Sequence, residues 1–231
     1  MDAPICHFYG RRTSKDTTRE RVVPFDTGSE RSLKTVQRWI KRCDDGHKCM
    51  RNVVLKMPRR VLDVRDDHVR LLETTTEDEG ARYACLSHCW GARTDAMLRT
   101  TLSTLSSFTK TIPWADLPRT FQHAISVTRR LGVDFLWIDS LCIIQDDERD
   151  WQQQPVVMAT IYQNAYITIA ATASSNADGG CYTREDNLQL NRAGMPLAVL
   201  SYANDTKQQI YARRRLSHDM KQFPLLHRGW V

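Results

Sequence analysis

The chain lacks most of the signatures that assign a chemistry from sequence. Its 231 residues contain no GxxxxGK[ST] and no GxGxxG, so neither a phosphate-cradling loop nor a dinucleotide fingerprint is written in it. There is no GxSxG nucleophile elbow. No two cysteines stand in a CxxC knuckle, the usual start of a structural zinc site. No apolar run approaches the ~20 residues that span a bilayer. The stretch Met1–Glu20 is polar and charged, without the apolar centre of a secretory signal. No internal repeat is visible. The expectation is a cytoplasmic globular chain with no membrane partner and no cofactor.

Cysteine and charge narrow this further. Seven cysteines are an odd number, irregularly spaced and partly inside apolar stretches, which fits buried reduced thiols rather than a disulfide framework. The net charge of +6 is uneven: residues 1–70 hold 17 Lys/Arg against 10 Asp/Glu, the remainder 16 against 17. Basic patches can bind nucleic acid. Here acids are interspersed and no aromatic ladder accompanies the basic residues, so the charge reads as a solvated face with no nucleic-acid partner.

What is present is an ordered core stretch, Leu117 to Ala173. Leu117, Phe121, Ala124, Ile125, Thr128 and Leu131 recur at helical spacing, with Pro118 near the start and Gly132 at the stop. Phe135-Leu136-Trp137-Ile138 is a continuous apolar run, as a strand covered on both faces requires. Asp139 breaks it and Leu141–Ile144 resumes it. Gln145 to Asp150 is an acidic helix start, and Trp151, Met158, Ile161, Tyr162 and Ala165 carry a second apolar stripe. Tyr166–Ala171 reads as another strand.

Around this stretch, residues 1–30 read as a flexible lead-in and residues 31–80 as a helix (32–42) followed by a β-hairpin. The hairpin pairs 60–64 with 68–72 around Asp66-Asp67. Arg82–Leu86 is a buried strand ending in Ser87-His88-Cys89-Trp90-Gly91. Residues 98–108 read as a short helix or connector, 174–180 as a small-residue loop, and 195–200 and 209–212 as further strands. The expected fold is α/β, a mostly parallel sheet flanked by helices with an N-terminal helix and hairpin. The runs 83–87, 135–138 and 166–171 are expected as parallel neighbours.

Polar residues at the carboxyl ends of buried strands mark where such sheets bind ligands. Ser87, Trp90, Gly91, Asp139 and Gln145, with Asp146 beside them, form the candidate pocket. No catalytic role is assigned. Ser87 and His88 are adjacent and point to opposite faces, so they are not nucleophile and base. Asp146-Asp147 suit a helix cap better than a cation site. Cys43, His47 and Cys49 supply three soft ligands within seven residues, but they read as packing or capping rather than metal.

The pattern as a whole resembles the fungal heterokaryon incompatibility (HET) domain. The matching blocks are Tyr83-x-x-Leu86-Ser87-x-x-Trp90-Gly91, Leu117-Pro118-x-Thr120-Phe121-x-x-Ala124-Ile125, Leu131-Gly132-x-x-Phe135 through Asp146, Asp150-Trp151, and Met158-x-x-Ile161-Tyr162-x-x-Ala165. Arg228-Gly229-Trp230 resembles the start of that family's last block. The resemblance implies residues 81–231 as a HET domain, incomplete at its end. It implies an effector of fungal non-self recognition that promotes programmed cell death by self-association, related to TIR domains of flavodoxin-like fold. An NAD-hydrolysing TIR-like enzyme and an inactive truncated paralogue are the alternatives. Gln154 replaces a usual Glu and Pro155 follows it, which favours an effector without chemistry of its own, or the inactive paralogue, over the enzyme.

Overall fold

The computed structural model of the protein describes residues 6–10, 26–47, 56–92, 97–183, 195–201, 207–214 and 223–227. In chain order the principal elements are β1 (Cys6–Gly10), α1 (Glu30–Gly46), β2 (Arg60–Asp63), β3 (Arg70–Glu73), β4 (Tyr83–Ser87), α2 (Leu102–Phe108) and α3 (Arg119–Arg130). There follow β5 (Phe135–Trp137), α4 (Asp139–Cys142), α5 (Glu148–Asn164), β6 (Ile167–Ala170), β7 (Met195–Ser201) and β8 (Lys207–Arg214). They fall into two units, residues 1–47 with 182–219 and residues 48–181 with 220–231. Cys49 and the block Arg228-Gly229-Trp230 lie outside the described residues.

The first unit holds α1 and an antiparallel sheet in the order β1-β8-β7. Ser29 caps α1: its side-chain oxygen accepts from the Ser32 amide at 3.3 Å, and both serine hydroxyls donate to the Asp26 carbonyl. Strand β1 lies within the stretch that reads as lead-in, because it exists only as a partner of β8, remote in sequence. On α1, Leu33 is buried, whereas Trp39 is 58% exposed.

The second unit is built on a five-stranded sheet in the order β3-β2-β5-β4-β6. β5, β4 and β6 are parallel neighbours, with β4 in the middle. β2 is antiparallel to both β3 and β5. The sheet is therefore mixed, two parallel ladders and two antiparallel, and not mostly parallel. The hairpin strands read correctly as a pair, but periodicity cannot tell which strand a hairpin docks against. β2 is buried along its whole length, including Arg60 and Asp63, because it sits inside the sheet. β6 alternates half-buried and exposed, as an edge strand does.

Helix α3 buries Phe121, Ala124, Ile125 and Thr128 at the predicted spacing. It ends at Leu131, followed by Gly132 at φ +71°, the left-handed turn that favours glycine after a helix. α5 starts on Asp147, whose carboxylate accepts from the amides of Arg149 and Asp150, and runs unbroken through Pro155. Pro155 thus lies well past the first turn, where a proline has no N–H for the helix ladder. The run expected to resume a strand at Leu141 instead forms the single turn α4, after which Ile144 bridges in parallel to Thr100. The core between these layers includes Leu62, Tyr83, Leu86, Phe121, Leu136 and Trp137, each at most 1% exposed. Full burial of side chains of this kind stabilises by about 1.5–3 kcal/mol apiece.

Candidate functional site

The chain leaves the carboxyl end of β4 through α3 to reach β5, then leaves β5 through α5 to reach β6 on the other side of β4. The two connections run in opposite directions, and right-handed crossovers then place α3 and α5 on opposite faces. The contacts agree. Tyr83 Oη and Cys85 Sγ donate to the Ile161 carbonyl of α5 at 2.6 and 3.8 Å. His88, in the alternate register, meets Phe121 of α3 edge-on, with ring centroids 5.1 Å apart. Such a reversal between neighbouring strands is where open α/β sheets take ligands.

Asp139, the first residue of α4 and two past the end of β5 at Trp137, stands at this reversal. Its Oδ1 accepts from its neighbour's amide, Ser140 N, at 2.7 Å, and lies 3.9 Å from His88 Nδ1. Its Oδ2 accepts from Trp90 Nε1 at 3.0 Å. The Gln145 side-chain amide donates to the Asp139 carbonyl at 3.2 Å and to the Ile143 carbonyl at 3.0 Å. Trp90, Asp139 and Gln145 are thus joined by hydrogen bonds. His88 stands beside them, its Nδ1 3.9 Å from Asp139, while the backbone carbonyl of Ser87 accepts from Ala171 N and continues the β4–β6 ladder.

The other candidates have different partners. Gly91 has φ +87°, and a Cβ there would lie 2.9 Å from Asn176 Cβ, so glycine is set by close approach of the 174–180 loop. Asp146 turns away, its Oδ1 accepting from Leu102 N at 2.8 Å at the first turn of α2. The small-residue loop itself caps α3. Thr120 N donates to the Ala177 carbonyl at 2.9 Å, Gly180 N to Thr120 Oγ1 at 2.9 Å, and Cys181 N to His123 Nδ1 at 3.2 Å. That last bond places any single ring proton of His123 on Nε2, and burial lowers its pKa.

Sequence reasoning missed the pair that secures the region from beneath. Arg60 and Asp150 are both about 1% exposed and joined Nη2 to Oδ2. Arg60 Nε also donates to the Cys142 carbonyl at 2.9 Å, and Asp150 Oδ2 accepts from Ile144 N at 2.8 Å. Strand β2, the α4 turn and the first turn of α5 are therefore locked together. The signal was a charge at each end of the run Arg60-Val-Leu-Asp63, buried although its residue types favour solvent.

In the first unit, Cys43 Sγ lies 3.6 Å from His47 Nδ1 at the carboxyl end of α1. Among the described residues no three His, Cys, Asp or Glu side chains converge as metal ligands, and no helix is long and apolar enough to cross a membrane.

A mixed α/β domain with its polar cluster at a strand-order reversal is the class these observations define. The model of one family, Heterokaryon incompatibility protein (HET), matches residues 83–231, and the chain belongs to that family. No curated protein and no solved structure matches it.

Proposed function

We propose that this chain is an effector of fungal heterokaryon incompatibility that promotes programmed cell death by self-association in the cytoplasm, without chemistry of its own. Family membership supports the biological setting. The observation that carries the mechanism is the engagement of Asp139. Both of its oxygens serve as acceptors within the fold, one to Trp90 and one to Ser140, so it works as a tie between two strand ends rather than as a general base.

The second reading is a TIR-like enzyme that hydrolyses NAD. What favours it is the strand-order reversal between β4 and β5, with His88 and Asp139 side by side.

Inducible expression in a filamentous fungus, with viability and cellular NAD followed together, separates the two. The effector reading expects loss of viability with NAD unchanged until after death. It also expects size-exclusion chromatography of the purified chain to show self-association. NAD depletion that precedes death, or NAD cleavage by the purified unmodified chain, overturns it in favour of the enzyme.

A further inference from the structure

A cavity of about 350 Å³ lies in the second unit, between the segment entering β2 and helix α5, and neither Trp90 nor Asp139 lines it. We infer that it is a binding site for a small amphipathic anion, an apolar body carrying one carboxylate. The inference is independent of the effector reading.

The base of the cavity is apolar. Trp137, Ile161, Cys142 and Met57 line it and are each less than 9% exposed, while Val157 of α5 stands beside them 40% exposed. Ligand pockets are mostly apolar with a few placed polar groups, and this volume is at the lower end of their ~300–1,000 Å³ range, which fits a small molecule rather than a protein segment.

The rim supplies charge of one sign. Lys56 and Arg59 are exposed and line the opening. Behind them Arg60 is buried, and its Nη1 has no hydrogen-bond partner among the described residues, with Glu73 Oε1 at 3.5 Å. Asp150 accepts from Arg60 and lies 3.5 Å from Arg59 Nη1. Among the described residues, three cations therefore face two carboxylates, and one positive charge is left for a ligand. The Arg59 guanidinium, 64% exposed, can turn its fork to a carboxylate at the opening, and Lys56 adds a point charge. Burial of the Cys142 thiol pushes its pKa up to about 12, so it meets the ligand as a neutral apolar surface.

The test is isothermal titration of the full chain with octanoate and 1-naphthoate, each against its primary amide. Both acids are expected to bind at one shared site, about tenfold or more tighter than the amides. The Lys56→Gln/Arg59→Gln chain, changed only at exposed positions, is expected to bind acids no better than amides. Thr160→Trp, on the exposed rim, is expected to block both with an unchanged melting temperature. Amides that bind as well as acids overturn the proposal, as does the failure of all four probes at about 1 mM. Binding that persists in a folded Thr160→Trp chain places the ligand elsewhere and overturns it too. A self-association that Thr160→Trp abolishes, without acid binding, would make the groove an interface between copies instead.

Discussion

Trp90 Nε1 donates to Asp139 Oδ2 over 3.0 Å, and this bond ties the segment leaving β4 to the turn leaving β5. Trp90→Phe keeps the ring bulk and removes the donor, leaving a half-buried carboxylate oxygen short of a partner. A loss of about 1–3 kcal/mol in urea denaturation is expected. Asp139→Ala should cost a similar amount, and the double change less than the two together, because they share one interaction. Strict additivity in that cycle would show the bond to be energetically idle.

The Arg60–Asp150 pair should behave differently from the surface ion pairs. Asp150→Ala leaves the Arg60 guanidinium buried without its main carboxylate and Ile144 N without an acceptor. Breaking a buried pair from one side costs about 3–5 kcal/mol. The double change Arg60→Met/Asp150→Leu should recover much of the loss, since an apolar replacement leaves no orphaned charge. A double variant less stable than Asp150→Ala would contradict this.

Much of this was legible in the residues. The helical spacing from Phe121 to Thr128 and the apolar run at Phe135 fixed α3 and β5, since burial on one face or on two leaves different periods. The hairpin at Arg60–Glu73 was legible as well. Its docking edge was not, because antiparallel pairing with β5 depends on contacts far apart in sequence. β1 escaped for the same reason. Leu141-Cys142 misled because a short apolar run reads alike as strand or buried turn. Of the candidate site, Trp90 and Asp139 lay together because both follow strand ends, whereas Gln145 reaches Asp139 from beyond the α4 turn that stands where a strand was expected. Asp146 did not join them, since its distance from Asp139 in sequence gives no hint that it turns to α2.

Acid should weaken the fold through Asp63. Arg65, with Arg70 beside it, hydrogen-bonds the Asp63 carboxylate and holds its pKa down to about 2. A depressed carboxyl contributes stability that is present above its unfolded pKa, near 3.9, and is lost as pH falls through the folded value. Stability should therefore drop between about pH 4 and pH 2, by no more than about 2 kcal/mol from this group. Solvent screening reduces that figure, because Arg65 and Arg70 are about half exposed. Asp63→Asn should be less stable at pH 7 and show a shallower acid slope in urea titrations. An unchanged slope would remove Asp63 from the account.

Two thiols should stay silent in the native chain. Burial raises the pKa of Cys142 to about 12 and that of Cys85 further, and both side chains are at most 3% exposed. Only the thiolate reacts, so at pH 8 a disulfide reagent should leave both unlabelled until denaturant returns them to about 8.5. Peptide mapping of the labelled chain reads this directly. Labelling of Cys85 or Cys142 at the rate of Cys43, which is half-buried, would show that the sheet opens far more often than its packing suggests.

Glycine at 91 and glycine at 132 share a left-handed backbone, φ +87° and +71°, yet substitution should separate them. At Gly132 an added Cβ meets nothing within 4 Å, so Gly132→Ala carries only backbone strain, about 1–2 kcal/mol. At Gly91 the same strain is joined by a contact of 2.9 Å to Asn176 Cβ, with the Asn176 backbone 3.6 Å away. The loop from Ser174 to Gly180 cannot retreat freely, because Ala177 and Gly180 are bonded to Thr120 at the start of α3. Gly91→Ala should therefore cost more than Gly132→Ala. Asn176→Gly, which removes the struck side chain, should return part of the difference. Thermal melts of the four chains decide it. Equal losses at 91 and 132, with no rescue by Asn176→Gly, would mean that the loop yields and that Gly91 is set by backbone conformation alone.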